Sequence, residues 1–115
     1  MTDEQLRIRA AELIGITGFQ RQELIIGGKK VLGHLTGISA ENGERKIVPD
    51  FPCNKIEAWK LWDVMEAQGL EPEIEKILGF YHCRCLGKDL GLADTASRAI
   101  TKAFIAAMEA DHEQG

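Results

Sequence analysis

At 115 residues, with 44% hydrophobic and 28% charged content, the chain has the composition of one ordinary globular domain. A net charge of −4 argues against a phosphate-tracking nucleic-acid binder, whose affinity rests on clustered Lys and Arg, and is too small and too dispersed for a DNA mimic. The acidic opening Met1-Thr2-Asp3-Glu4 does not read as a signal peptide, and no apolar run approaches the ~18 residues of a membrane span.

The first predicted element is a helix. Thr2 or Asp3 can cap it, and Asp3 and Glu4 stand favourably at its positive end. Leu6, Ala10, Leu13 and Ile14 recur at helical spacing, and Gly15 with Thr17-Gly18 is expected to end the segment. From Glu23 the pattern turns to β. Leu24-Ile25-Ile26 and Val31-Leu32 flank Gly27-Gly28-Lys29-Lys30, a tight-turn sequence. Asn42-Gly43 separates Leu35–Ile38 from Arg45–Val48, so the reading is a three-stranded meander, with Gly33 and Gly37 expected to weaken its middle strand. Pro49 and Pro52 stop the sheet.

Asn54, with Glu57 three residues on, has the spacing of a capping box and starts a second helix. Its apolar face is Ala58, Leu61, Trp62 and Met65, with Ile56, Trp59 and Val64 beside it; Gly69 supplies the stop. After Pro72 the β-rich stretch Ile74–Leu86 reads as one strand or as a hairpin broken near Leu78-Gly79. Tyr81, Cys83 and Cys85 share its core side, and Phe80, His82 and Arg84 share the other. Residues 87–93 read as a loop. Asp94 or Thr95 then caps a last helix whose stripe Ala96, Ala99, Ala103, Ala107 and Ala110 permits close approach to a sheet; the tail Asp111–Gly115 is polar and expected to fray.

The fold class that follows is α+β, with a mainly antiparallel sheet packed with three helices in the order α-β-β-β-α-β(β)-α, as a single domain spanning residues 1–115. Asp50-Phe51, a capped helix with Ala58-Trp59 in its first turns, a strand, and Thr95 opening a helix with Ser97-Arg98-Ala99-Ile100 together resemble the phage ABA sandwich domain. Members of that family are small α+β proteins of phages and prophages with no established activity. The resemblance covers roughly residues 23–108, and where the family carries Ile-Cys-Arg-Ala this chain has Ser97-Arg98-Ala99-Ile100. It implies origin and fold more than function. With no catalytic constellation in the sequence, the expectation is a non-enzymatic accessory protein of the host bacterial cytosol that acts by binding a host or phage macromolecule, by analogy including as an inhibitor of a host protein or defence system.

Candidate chemistry is sparse. His82, Cys83 and Cys85 come nearest to a metal set, with Cys53 as a further thiolate, but strand alternation points His82 away from the cysteines. Cys83 and Cys85 are also too close in a strand for an unstrained bridge, so all three cysteines read as free thiols of a reducing cytosol. Cys53 lies ahead of a helix start, where His34 or His82 would have to approach to make it a nucleophile. The Gly27–Lys30 stretch lacks the spacing of a phosphate-binding loop. Trp59 and Trp62 read as core residues before they read as a stacking platform or partner hot spot. Asp89, Asp94, Glu73 and Glu75 show no acid–base pairing. No catalytic, cofactor-binding or metal-ligating residue is assigned. A small ligand- or metal-binding domain built near the cysteine strand is the alternative, and a homo-oligomer using an uncovered sheet face or the Trp-bearing helix is a third reading.

Overall fold

The computed structural model describes residues 1–114, with side chains through Ala110, so the side chains of the expected polar tail 111–115 lie outside the described residues. The elements run α1 Asp3–Leu13, β1 Ile16–Ile26, β2 Lys29–Ser39, β3 Arg45–Ile47, α2 Lys55–Ala67, β4 Pro72–Ile77, β5 Phe80–Cys85, β6 Lys88–Ala93 and α3 Ala96–Gln114. Every strand pairing is antiparallel, as the short turns require, and the strands divide into two sheets, β1-β2-β3 (sheet A) and β4-β5-β6 (sheet B). The fold is α+β with helices packed on sheets.

Helix α3 is the centre. It lies along the inner face of β5 and β6 and is flanked by α1 and α2. The alanine stripe makes this approach close: a Cβ on Gly91 in β6 would meet the Ala99 carbonyl oxygen at 2.1 Å and the Ala103 nitrogen at 2.9 Å. Phe104, Ile100, Phe51, Leu61 and Met65 fill the space between the helices and sheet B. Ionic contacts reinforce the helix layer. Arg98 of α3 donates to both carboxylate oxygens of Asp3 at 2.8 Å, and Arg9 to Glu109 at 2.7 Å.

Three local readings are corrected. The helix ends at Leu13, but Thr17-Gly18 does not interrupt the chain. Gly18 sits inside β1 with φ of 62°, at a register shift between Thr17 and Gln20, so the strand begins at Ile16 instead of near Glu23. Gly37 does not break β2 either. A Cβ there would lie 2.4 Å from the Ile16 side chain, so glycine lets a buried isoleucine cross the strand and β2 runs unbroken. Residues 88–93 are strand β6, not loop: Leu86 and Gly87 both have positive φ and form the two-residue turn after which Lys88 pairs with Cys85.

The helix starts behave as their caps dictate. Thr2 and Gln5 form a reciprocal capping box on α1. Asn54 accepts from the backbone N–H of Ile56 and Glu57, but the expected reciprocal bond is missing because Glu57 turns instead to Lys60 at 3.1 Å. Trp62, placed on the buried face from its spacing, is only half-buried, with its ring 4.9 Å from that of Trp59.

Candidate functional site

The most distinctive surface is the distal half of the β1–β2 hairpin, residues 22–33, and its origin is a mismatch of lengths. Each strand has eleven residues, which at ~3.3 Å per residue extends about 36 Å. Helix α1, which covers the base of β1, also has eleven residues, but at 1.5 Å per residue it reaches only about 16 Å. Its cover ends near Arg21, which donates to Glu4 of α1 and to the Gly33 carbonyl. Beyond that point every residue from Gln22 to Leu32 is exposed. The hairpin projects as an arm, and the radius of gyration of 15.4 Å exceeds the ~13 Å of a compact chain of this length.

This arm is apolar on both faces. Cross-strand partners share a face, so Leu24, Ile26 and Val31 stand on one side and Ile25 and Leu32 on the other. Ile25 is 75% exposed, Leu32 71% and Ile26 62%. Single exposed apolar residues are ordinary, whereas five contiguous ones on a projecting hairpin mark a contact element. The turn is relaxed, with Gly27 and Gly28 at φ of 59° and 79°. Lys29 and Lys30 follow it, one on each face; Lys30 reaches Glu23 only at 4.0 Å, with both side chains largely in solvent. The outer edge of β1 is unpaired, and β3 pairs with β2 only at Thr36–Ile38. The arm therefore presents free backbone groups as well as apolar side chains.

The sequence identified these residues as strands but not as a site. A continuous run such as Leu24-Ile25-Ile26 ordinarily signals a strand buried on both sides. Here it is covered on neither.

The residues singled out for chemistry are dispersed. Cys83 and Cys85 lie on the inner face of β5 beneath α3, as their alternation implied. Burial pushes the Cys83 thiol up to about 12 and raises Cys85, whose sulfur contacts Met65 at 3.6 Å. His82 is on the opposite face, 2.7 Å from Asp89, and Arg84 there pairs with Glu75 at 3.0 Å. Cys53 is exposed before α2, and its thiol donates to Asp3 at 3.5 Å. Local burial and the carboxylates of Asp50 and Asp3 raise its pKa, the opposite of nucleophile activation. His34 stands exposed on β2 in sheet A. Among the described residues no three His, Cys, Asp or Glu side chains are grouped to hold a metal ion. Asp94 is engaged by Arg98 at 3.0 Å.

Clefts in the body are shallow. One of about 310 Å³ lies between α1, β6 and α3, lined by Leu6, Leu90, Lys102 and Ile105. Another of about 180 Å³, beside Cys85 and Leu70, falls below the ~300 Å³ at which small-molecule sites begin. No helix among the described residues is long and apolar enough to cross a membrane. Compared with family models, curated proteins and solved structures, the chain shows no significant match. The site must be read from its own geometry.

Proposed function

We propose that the chain is a non-enzymatic phage or prophage accessory protein of the host bacterial cytosol, acting by binding another protein through the β1–β2 arm. The observation that carries this reading is an apolar hairpin exposed on both faces and free along its edge, a shape suited to insertion into a partner's groove. Lys29 and Lys30 put positive charge beside the turn, which fits a protein groove rimmed with carboxylates. The phage origin rests on the resemblance of roughly residues 23–108 to the ABA sandwich domain, and inhibition or redirection of a host protein, including a defence component, is an action suggested by analogy with that origin. Supporting a non-enzymatic role, the environments of Cys53, Cys83 and Cys85 all disfavour a thiolate.

Affinity capture from bacterial lysate, run in parallel with wild type and with Ile25→Asp/Leu32→Asp, tests the reading. A stoichiometric protein retained by wild type and lost by the arm variant is expected. Retention of the same proteins by both baits would overturn the arm's role, and a turnover abolished by changing one side chain would overturn the non-enzymatic assignment.

A further inference from the structure

The chain carries a second exposed surface whose chemistry complements the arm. In sheet B, Glu73 pairs with Arg84, Glu75 with His82, Ile77 with Phe80 and His82 with Leu92 across neighbouring strands. These side chains therefore share the face turned away from α3. Phe80 and Leu92 on it are each about half exposed, and Ile77 is exposed as well. The same face carries three carboxylates, Glu73, Glu75 and Asp89, against one guanidinium, Arg84, which Glu75 engages at 3.0 Å. In contrast, the arm, residues 22–33, holds two lysines, Lys29 and Lys30, against one carboxylate, Glu23.

We propose that the arm of one copy docks on this acidic, apolar outer face of sheet B in a second copy, so that chains associate head to tail. The proposal rests on the arm being a contact element and names one occupant for it. Apolar side chains meet Phe80 and Leu92, and Lys29 or Lys30 meets Glu73, which makes no ion pair among the described residues. Arm-to-arm pairing is disfavoured because it would bring two lysine pairs together. Donor and acceptor surfaces differ, so the contact is heterologous and each copy keeps one of each to offer, which propagates to a ring or an open chain. Self-association shields the arm, and a foreign partner must compete for it.

Analytical ultracentrifugation of the full chain over a range of concentrations and salt provides the test. The average mass should rise with concentration and fall with added salt, because screened charges contribute to the contact. Lys29→Glu/Lys30→Glu and Glu73→Lys/Glu75→Lys should each be monomeric alone, since each opposes like charges. Mixed in equal amounts they should co-assemble, because every arm then finds a face of opposite sign. Circular dichroism confirms folding of each variant, and Phe80→Lys provides a second acceptor lesion should Glu75→Lys disturb Arg84. A monomeric wild type at every concentration, or association undiminished in the charge variants, or a mixture that fails to co-assemble, overturns head-to-tail docking. None of those results touches arm-dependent capture of a foreign protein, so the two proposals fail separately.

Discussion

The two sheets are built from similar parts and end in opposite conditions. Sheet B has strands of six residues joined by two-residue turns, each about 20 Å long, under a helix of nineteen residues that spans about 28 Å. Its inner face is covered along β5 and β6, where Cys83, Cys85 and Ala93 are buried beneath α3. Sheet A has two strands of eleven residues beside a helix of eleven, and because a strand rises more than twice as fast as a helix, their outer half goes uncovered. The difference teaches that exposure here follows from element length and not from composition. Leu24-Ile25-Ile26 is as apolar as anything in the core.

The comparison can be broken most severely on the sheet B side. Phe104→Ala, which empties a fully buried ring site on α3, should lower unfolding free energy by about 3–5 kcal/mol in urea titration. Gly91→Ala should cost about 3 kcal/mol in the same measurement, because its Cβ meets backbone of α3 and the helix itself must shift.

A smaller effect comes from pH. The Cys83 thiol has an ordinary value near 9.0 when unfolded and about 12 in the fold. The unfolded state releases its proton first as pH rises. Stability contributed by the neutral buried thiol is therefore whole below pH 9 and declines through the window from 9 to 12, by up to about 1.4 kcal/mol per unit. Cys83→Ala should flatten the alkaline limb of the stability profile. Asp3 works in the opposite sense. Arg98 holds its carboxyl below the ordinary 3.8, so that contribution is present above this value and fades as pH falls through the lower folded pKa.

The turns sharpen the contrast more finely. Sheet A turns on Gly27-Gly28 without strain, whereas sheet B turns on Leu78-Gly79 with Leu78 at φ of 51° and 94% exposed. Leu78→Asn should raise stability by about 1 kcal/mol by relieving the left-handed leucine, read as a shift in thermal midpoint. Smallest of all, Ile25→Thr/Ile26→Thr on the arm should change stability by about 0.5 kcal/mol or less while removing capture of the partner. A large stability loss there would mean the arm is covered after all.

Much of the local structure was legible. The three helices, the turns at Gly27-Gly28 and Leu78-Gly79, and the inward side of Cys83 and Cys85 all follow from short-range rules of capping, positive φ and alternation. Strand β6 was missed because Gly87–Ala93 carries two glycines and little β-branching, yet Leu86-Gly87 repeats the leucine–glycine turn eight residues earlier and was its available signal. Gly37 read as a weakness in its strand and Gly91 as part of a loop; both proved to be points of close approach, which no single strand can disclose.

The sequence by itself determined the α+β class and the helix boundaries to within a few residues, because each depends on neighbours along the chain. Only the tertiary structure decided that the strands form two sheets, that α3 lies on β6 through Gly91, and that residues 22–33 stand clear of any cover. Those outcomes depend on which element ends first when helices and strands of unequal rise are laid side by side, and periodicity along one segment contains no measure of its neighbour's reach.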